Sequence, residues 1–287
     1  MNRITLRKLV APVAIATACL TMTSTATAEQ KMTNTEKAVA LIESIENGNP
    51  EPVGFINPHK YIQHNLAIGD GLAGFGEAMK MLPPGGAKAS VQRAFQDGDY
   101  VVLHTEYDFF GPKAGFDVFR FENDKIVEHW DNLQEIAPPN PSGHTQFDGP
   151  TQVTDLSKTD ENKALVTDFV ETILIKGDMG KIGQFIGPND EDYIQHNPAV
   201  SDGLSGLGKA LAALAQQGMP MAYNKNHKVL GQGDFVLSIS EGKFLDKHVA
   251  FYDLFRVEDG KIVEHWDTIE NIPPKADWKN DNGKFGF

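Results

Sequence analysis

The heptapeptide "KIVEHWD" stands at Lys125–Asp131 and again, unchanged, at Lys261–Asp267. Working outward, "YIQHNLAIGDGLAGFG" (Tyr61–Gly76) matches "YIQHNPAVSDGLSGLG" (Tyr193–Gly208) at eleven of sixteen positions. "FDVFRFENDKIVEHWD" likewise matches "YDLFRVEDGKIVEHWD", and each copy runs into a proline pair, Pro138-Pro139 or Pro273-Pro274. Order and period are both kept, which is the mark of a tandem duplication.

Each copy opens with an amphipathic pattern: Ala38, Leu41, Ile42 and Ile45 in the first, Val166, Phe169, Val170 and Ile173 in the second. Spacing of i, i+3, i+4, i+7 predicts a helix. An extended Tyr-Ile-Gln-His-Asn segment follows, then a second helix over Leu72–Leu82 or Leu204–Gln217. Three strands come next in the first copy, Tyr100–Phe109, Phe116–Phe121 and Ile126–Leu133, with turns at "GDY", "GPKAG" and "NDK". Helices first and sequential strands afterwards give an α+β class. The expected architecture is two tandem cone-shaped α+β barrels, each a curved antiparallel sheet with helices on its concave face and a pocket at the open end. The domains run 33–137 and 158–274, with a Pro/Gly/Ser/Thr-rich linker at 138–157. A tail at 275–287 carries aromatics without a period.

Residues 1–28 read as a secretory signal peptide. Arg3, Arg7 and Lys8 precede an apolar run from Leu9 to Leu20, and Ala26-Thr27-Ala28 supplies the cleavage site. The run is too short to span a bilayer of about 30 Å. The expected protein is exported, periplasmic or secreted, with no membrane attachment after signal removal. The one cysteine, Cys19, would leave with the signal, so packing and not disulfides holds the mature chain. Loss of the three basic residues takes the net charge from −13 to −16. Such a surface repels phosphate backbones, so nucleic acid is not expected as a partner.

On a strand through "KIVEHWD", Val127, His129 and Asp131 share one face and Ile126, Glu128 and Trp130 the other. His129 and Asp131, with His265 and Asp267, are the candidate catalytic residues. Burial raises a carboxylate's pKa and a nearby imidazole opposes that, a combination suited to moving protons near neutral pH. The plain alternative puts His129 and Asp131 in solvent and Trp130 in the core. In "YIQHN", alternation places Tyr61, Gln63 and Asn65 on one side and His64 on the other, unless the segment bends. The candidate substrate-binding residues are Tyr61, His64, Asn65, Trp130, Tyr193, His196, Asn197 and Trp266. Asp70 and Asp202 read as helix caps. "GDGLAG" fits G-x-G-x-x-G, but no apolar strand precedes it and the second copy has Ser201 in place of the first glycine. A three-histidine zinc set of His64, His104 and His129 fails on duplication, because "FVLSIS" replaces the His104 stretch. No metal and no cofactor are expected.

These motifs resemble the SnoaL-like family, the polyketide-cyclase relatives of the nuclear transport factor 2-like superfamily. The resemblance rests on "YIQHN…DG…G" and "F/YD.FR.E..KIVEHWD", and covers nearly all of each copy. It implies an α+β cone and an aspartate acting as general acid/base, without metal or organic cofactor, in an intramolecular aldol closure. Asp131 and Asp267 match that aspartate; His129 and His265 would orient it or bind a substrate oxygen. The implied chemistry is proton abstraction next to a carbonyl, followed by cyclisation or isomerisation of a small molecule. A small-molecule binding protein and an interaction scaffold are the rival readings. Such domains pair through their sheets, so the expected assembly is an internal pseudo-dimer, with a dimer of chains as the alternative.

Overall fold

The computed structural model describes residues 31–83, 87–219 and 221–287. The expected signal peptide at 1–28 lies outside the described residues. Helix α1 (Asn34–Asn47) begins at Thr33 because Thr33 and Glu36 cap each other's backbone amides. Its Ala38, Leu41 and Ile42 are buried, as the spacing predicts. A short extended piece, β1 (Ile62–Gln63), leads to α2 (Gly71–Met81). Four strands follow: β2 (Lys88–Asp97), β3 (Tyr100–Asp108), β4 (Pro112–Glu122) and β5 (Lys125–Glu135). The second repeat copies this as α3 (Thr159–Phe169), β6 (Ile194–Gln195), α4 (Gly203–Gln216), β7 (Met221–Gln232), β8 (Phe235–Phe244), β9 (Lys247–Glu258) and β10 (Lys261–Asn271). A π-helical turn, Val170–Ile175, extends α3. No helix among the described residues is long and apolar enough to cross a membrane.

The sheet orders are β1-β5-β4-β3-β2 and β6-β10-β9-β8-β7. Both sheets are mixed, because β1 and β6 join β5 and β10 in parallel while every other pairing is antiparallel. The periodicity did not show β2, whose alternation breaks at a bulge between Val91 and Arg93. A second irregularity, between Ile126 and Glu128, puts Ile126 in the helix-side core beside Phe119 and Phe121 instead of on the face of Trp130. "GPKAG" is mostly strand; the turn sits one step earlier, with Phe110 at φ 52° before Gly111.

Each sheet covers its inner face with its own helices. α1 and the inner residues Val101, Leu103, Phe119 and Phe121 form one core; α3 and Val236, Phe255 and Val257 form its copy. The outer faces pack on each other. Phe116, Val118 and Trp130 of the first sheet share a cluster with Leu237, Tyr252, Leu254 and Trp266 of the second. The result is four layers, helix, sheet, sheet, helix, within one unit spanning Met32–Phe287. Polar pins cross the seam: Asn132 Nδ2 donates to Thr268 O at 2.9 Å, and the Ile269 amide donates to Gln134 Oε1 at 2.8 Å.

The connector does more than link. Each repeat is followed by an arm that docks on the other repeat. In the connector, Asn140 Nδ2 donates to Gln195 O and Val200 O, and His196 Nδ1 donates to Thr145 O. In the tail, Asn280 Nδ2 donates to Asn65 O and Ile68 O, and His64 Nδ1 donates to Gly283 O. The exchange is reciprocal. Replacing Asn280 with Ala should cost about 1–3 kcal/mol, since it removes the side-chain donor to Ile68 O and leaves Asn65 O with the Ile68 amide alone. Urea unfolding of Asn280→Ala checks this; an unchanged midpoint would mean the tail adds nothing to stability.

Candidate functional site

Two cavities open on the helix side, one per repeat. Site 1 is about 320 Å³ and site 2 about 270 Å³. Apolar residues dominate both walls, with Leu41, Ile42, Phe75 and Phe119 in site 1 and Phe169, Leu207, Leu211 and Phe255 in site 2. The floor is polar and repeated. Site 1 has Tyr61, Gln63, Asn65, Tyr107, Asp117, His129 and Asp131. Site 2 has the counterparts Tyr193, Gln195, Asn197, Tyr223, Asp253, His265 and Asp267.

Strand register builds this floor. Asp117 on β4 faces Asp131 on β5 directly, and Asp253 on β9 faces Asp267 on β10. Gln63 on β1 lies beside His129, and Gln195 beside His265. His129 Nε2 and Asp117 Oδ1 are 3.1 Å apart, the same distance as His265 Nε2 and Asp253 Oδ1. Gln63 Oε1 accepts the Asn65 amide, so it is an acceptor toward His129 Nδ1 at 3.2 Å. Gln195 Oε1 accepts the Asn197 amide in the same way and lies 2.9 Å from His265 Nδ1. Each Nδ1 is thereby fixed as a donor, and the movable proton sits between Nε2 and the β4 or β9 aspartate. Asn65 donates to Asp131 Oδ2 at 2.6 Å, and Asn197 to Asp267 Oδ2 at 2.7 Å. The Oδ1 atoms of Asp131 and Asp267 are buried without a hydrogen-bond partner.

Burial pushes the Asp267 carboxyl above its ordinary 3.8, helped by the charge of Asp253 and opposed by His265 and Asn197. Burial also disfavours a charged His265, but Asp253 and Asp267 outweigh it and hold its pKa above 6.5. Burial raises the hydroxyls of Tyr61, Tyr107, Tyr193 and Tyr223, so all four stay neutral donors. Tyr107 donates to Asp117 at 2.6 Å and Tyr223 to Asp253 at 3.1 Å.

Of the sequence candidates, Tyr61, Asn65, His129, Asp131, Tyr193, Asn197, His265 and Asp267 line the cavities. His64, Trp130, His196 and Trp266 do not, and their assignment to substrate is corrected. The segment does not bend, so alternation turns His64 and His196 to the outer face. There His64 stacks on Trp130 at 4.5 Å and bonds Glu128 at 3.0 Å; His196 stacks on Trp266 at 4.7 Å and bonds Glu264 at 2.9 Å. Trp130 and Trp266 fill the seam between the sheets. Asp70 and Asp202 make no side-chain cap; their Oδ1 atoms accept the Gln63 and Gln195 amides and tie each helix to the short strand. The glycines of "GDGLAG" serve the backbone: a Cβ on Gly74 would collide with Gly69 O, and Gly71 takes a left-handed φ of 72°. Sequence reading missed Asp117, Asp253, Gln63, Gln195, Tyr107 and Tyr223. Asp117 and Asp253 were visible as the constant acid of the "FDVFR" and "YDLFR" stretches.

Among the described residues, Asp117, His129 and Asp131, and their copies Asp253, His265 and Asp267, are the sets compact enough for a cation, with ligand atoms within 4.8 Å of one another. Both nitrogens of each imidazole are already bonded, to Gln and to Asp, so a metal would have to break the histidine–aspartate bond. The Lys284 ammonium, 3.6 Å from Asp131 Oδ1, opposes a cation in site 1 further. The donor set does not fit a resident metal. His104 lies elsewhere, stacked on Phe116 and bonded to Arg93.

Solved structures similar to this chain are single-repeat proteins in length. An NTF2-like protein from Cytophaga hutchinsonii is 14% identical and is covered over 95% of its length by 37% of this chain, with a TM-score of 0.33. IdmH from Streptomyces antibioticus, provisionally called a polyketide cyclase, is 19% identical, with 93% of it matched to 36% of this chain and a TM-score of 0.31. A cystatin-like-fold protein from Xanthomonas campestris is 25% identical, with 97% of it matched to 41% of this chain and a TM-score of 0.33. No family model and no curated protein matches the sequence.

The raised pKa values set a pH signature. A group whose folded pKa is raised stabilises the fold fully below its unfolded value and loses that contribution as pH rises through the folded one. For Asp267 the loss begins above about 3.8 and for His265 above about 6.5, so both make stability fall as pH rises. Asp267→Asn should therefore be more stable than the unmutated protein at pH 7, with a flatter pH profile. Urea unfolding from pH 4 to 8 checks this, and parallel profiles would refute it. Dialysis against a chelator should leave the melting temperature unchanged; a fall would reveal a structural metal.

Proposed function

We propose that this chain is a cofactor-free acid/base enzyme that removes a proton next to a carbonyl in a small, mainly apolar molecule. The observation that carries the reading is the aspartate–histidine–aspartate floor beneath an apolar cavity. Asp131 or Asp267 acts as the base: Asn65 or Asn197 occupies one lone pair of Oδ2, and a carboxylate oxygen accepts more than one bond. The proton between His129 and Asp117, or His265 and Asp253, is placed to be given to a developing enolate oxygen. Aldol-type closure or isomerisation would follow from that enolate. The mature protein is exported, and its working form is one chain with two repeats back to back. The scaffold reading has less support, because the outer sheet faces that would recruit a partner are spent on each other.

The test is solvent deuterium uptake into a panel of ketones, β-keto esters and diketones, read by mass spectrometry. The Asp131→Asn/Asp267→Asn double variant should lose roughly 10²–10⁴ in exchange rate, the usual scale of general acid–base catalysis. Ligand binding without exchange in the unmutated protein would replace this reading with that of a binding protein.

A further inference from the structure

The two floors match residue for residue, yet the arms that close them differ. Gly283 O and Thr145 O play the same part, each accepting from the outer-facing histidine of the opposite repeat. The residue after Gly283 is Lys284, and the residue after Thr145 is Gln146. Lys284 is 5% exposed. Its Nζ lies 3.6 Å from Asp131 Oδ1 and bonds Glu270 Oε2, and Glu270 itself lines site 1. The position matching Glu270 in the first repeat is Gln134, three residues after Asp131 as Glu270 is three after Asp267. Each takes a backbone amide across the seam, Gln134 from Ile269 and Glu270 from Leu133. Gln146 Oε1 accepts the Ala137 amide, and its Nε2 is buried without a partner. The ammonium–carboxylate pair beside site 1 is therefore matched, position for position, by two neutral amides, Gln146 and Gln134, neither of which lines site 2.

We propose that Lys284 makes the sites unequal: site 1 is the proton-abstracting site, with Lys284 as its positioning residue, and site 2 binds the same class of molecule with little turnover. The proposal rests on the carbonyl-compound reading above. A base must be ionised to accept a proton. Asp131 has a buried counter-ion for its otherwise unpartnered oxygen. Among the described residues, the matching oxygen of Asp267 has no hydrogen bond and no lysine beside it; His265 favours its charge, but burial outweighs that and drives the carboxyl toward its neutral form. The groups around Asp131 are Asp117 from β4, His129 on its own strand, Glu270 from β10 and Lys284 from the arm, with the Asn65 amide and the neutral hydroxyls of Tyr61 and Tyr107. Among the described residues, Lys284 is the cation that reaches Asp131 from outside the repeat. Burial works against its charge, but Glu270 and Asp131 overcome that and hold its pKa above the ordinary lysine value.

The experiment measures deuterium exchange in single-site variants. Asp131→Asn should lower the rate at least several-fold more than Asp267→Asn does, although each removes the matching carboxylate of its own floor. In the Asp267→Asn background, Lys284→Met should lower exchange roughly tenfold or more, the effect expected from removing an adjacent opposite charge. Lys284→Arg should restore the larger part. The arm has independent anchors at Asn280 and Asn282, and Trp130 stacks on Phe287 at 4.5 Å, so unchanged Trp130 fluorescence shows that the arm has stayed docked. Equal rates in the two single-site variants, or no effect of Lys284→Met with the arm docked, would overturn the inequality and leave the carbonyl reading standing. Absence of exchange in the unmutated protein would overturn both.

Discussion

Burial of the two outer sheet faces against each other is the constraint on which the structure depends. Trp130, Trp266, Phe116 and Tyr252 are almost wholly removed from solvent in this seam. Side chains of this size contribute about 1.5–3 kcal/mol each when fully buried. A repeat on its own would expose that whole face, a patch that soluble domains rarely tolerate. With the outer faces closed, the helix sides are left for the cavities, and each polar floor ends up at the base of an apolar cone.

The same seam explains why the histidine and tryptophan of the repeated motifs are kept without touching a ligand. The outer histidines bond Glu128 and Glu264, which Arg120 and Arg256 hold from the other side. Those hydrogen bonds outweigh burial and keep both glutamates below the ordinary carboxylate range. Each histidine also receives the incoming arm through Nδ1 and covers a tryptophan face. One side chain thereby joins a buried ion pair, an aromatic stack and a chain crossing. The inner histidine, one strand away, has a different task. Duplication preserved both sets for separate physical reasons.

The fold was legible because its signals are local. Helix spacing marked α1 and α3, the second helix of each repeat was read one residue late, and alternation within "YIQHN" put Tyr61, Gln63 and Asn65 on one side and His64 on the other, without saying which side meets the cavity. A bulge hid β2, and another moved Ile126 across the sheet, because an inserted residue breaks the two-residue period from which faces are read. About half of the candidate site was legible: the aspartates and histidines of "KIVEHWD" came through, but Asp117 and Asp253 enter through cross-strand register. The arms were hidden altogether. They have no periodicity, and they are held by side-chain bonds to carbonyls far away in the sequence.

Those bonds also set an order of events in the life of the chain. His64 meets Gly283 across 219 positions. A ribosome emits residues one after another, and domains near the start commonly fold as they emerge. The first repeat can assemble its helices and sheet in that interval, but Trp130 must wait for Phe287, and Asp131 for Lys284. Its pocket is finished only after the second repeat has been made. The second repeat, whose arm precedes it, meets no such delay. The half that begins first is completed last.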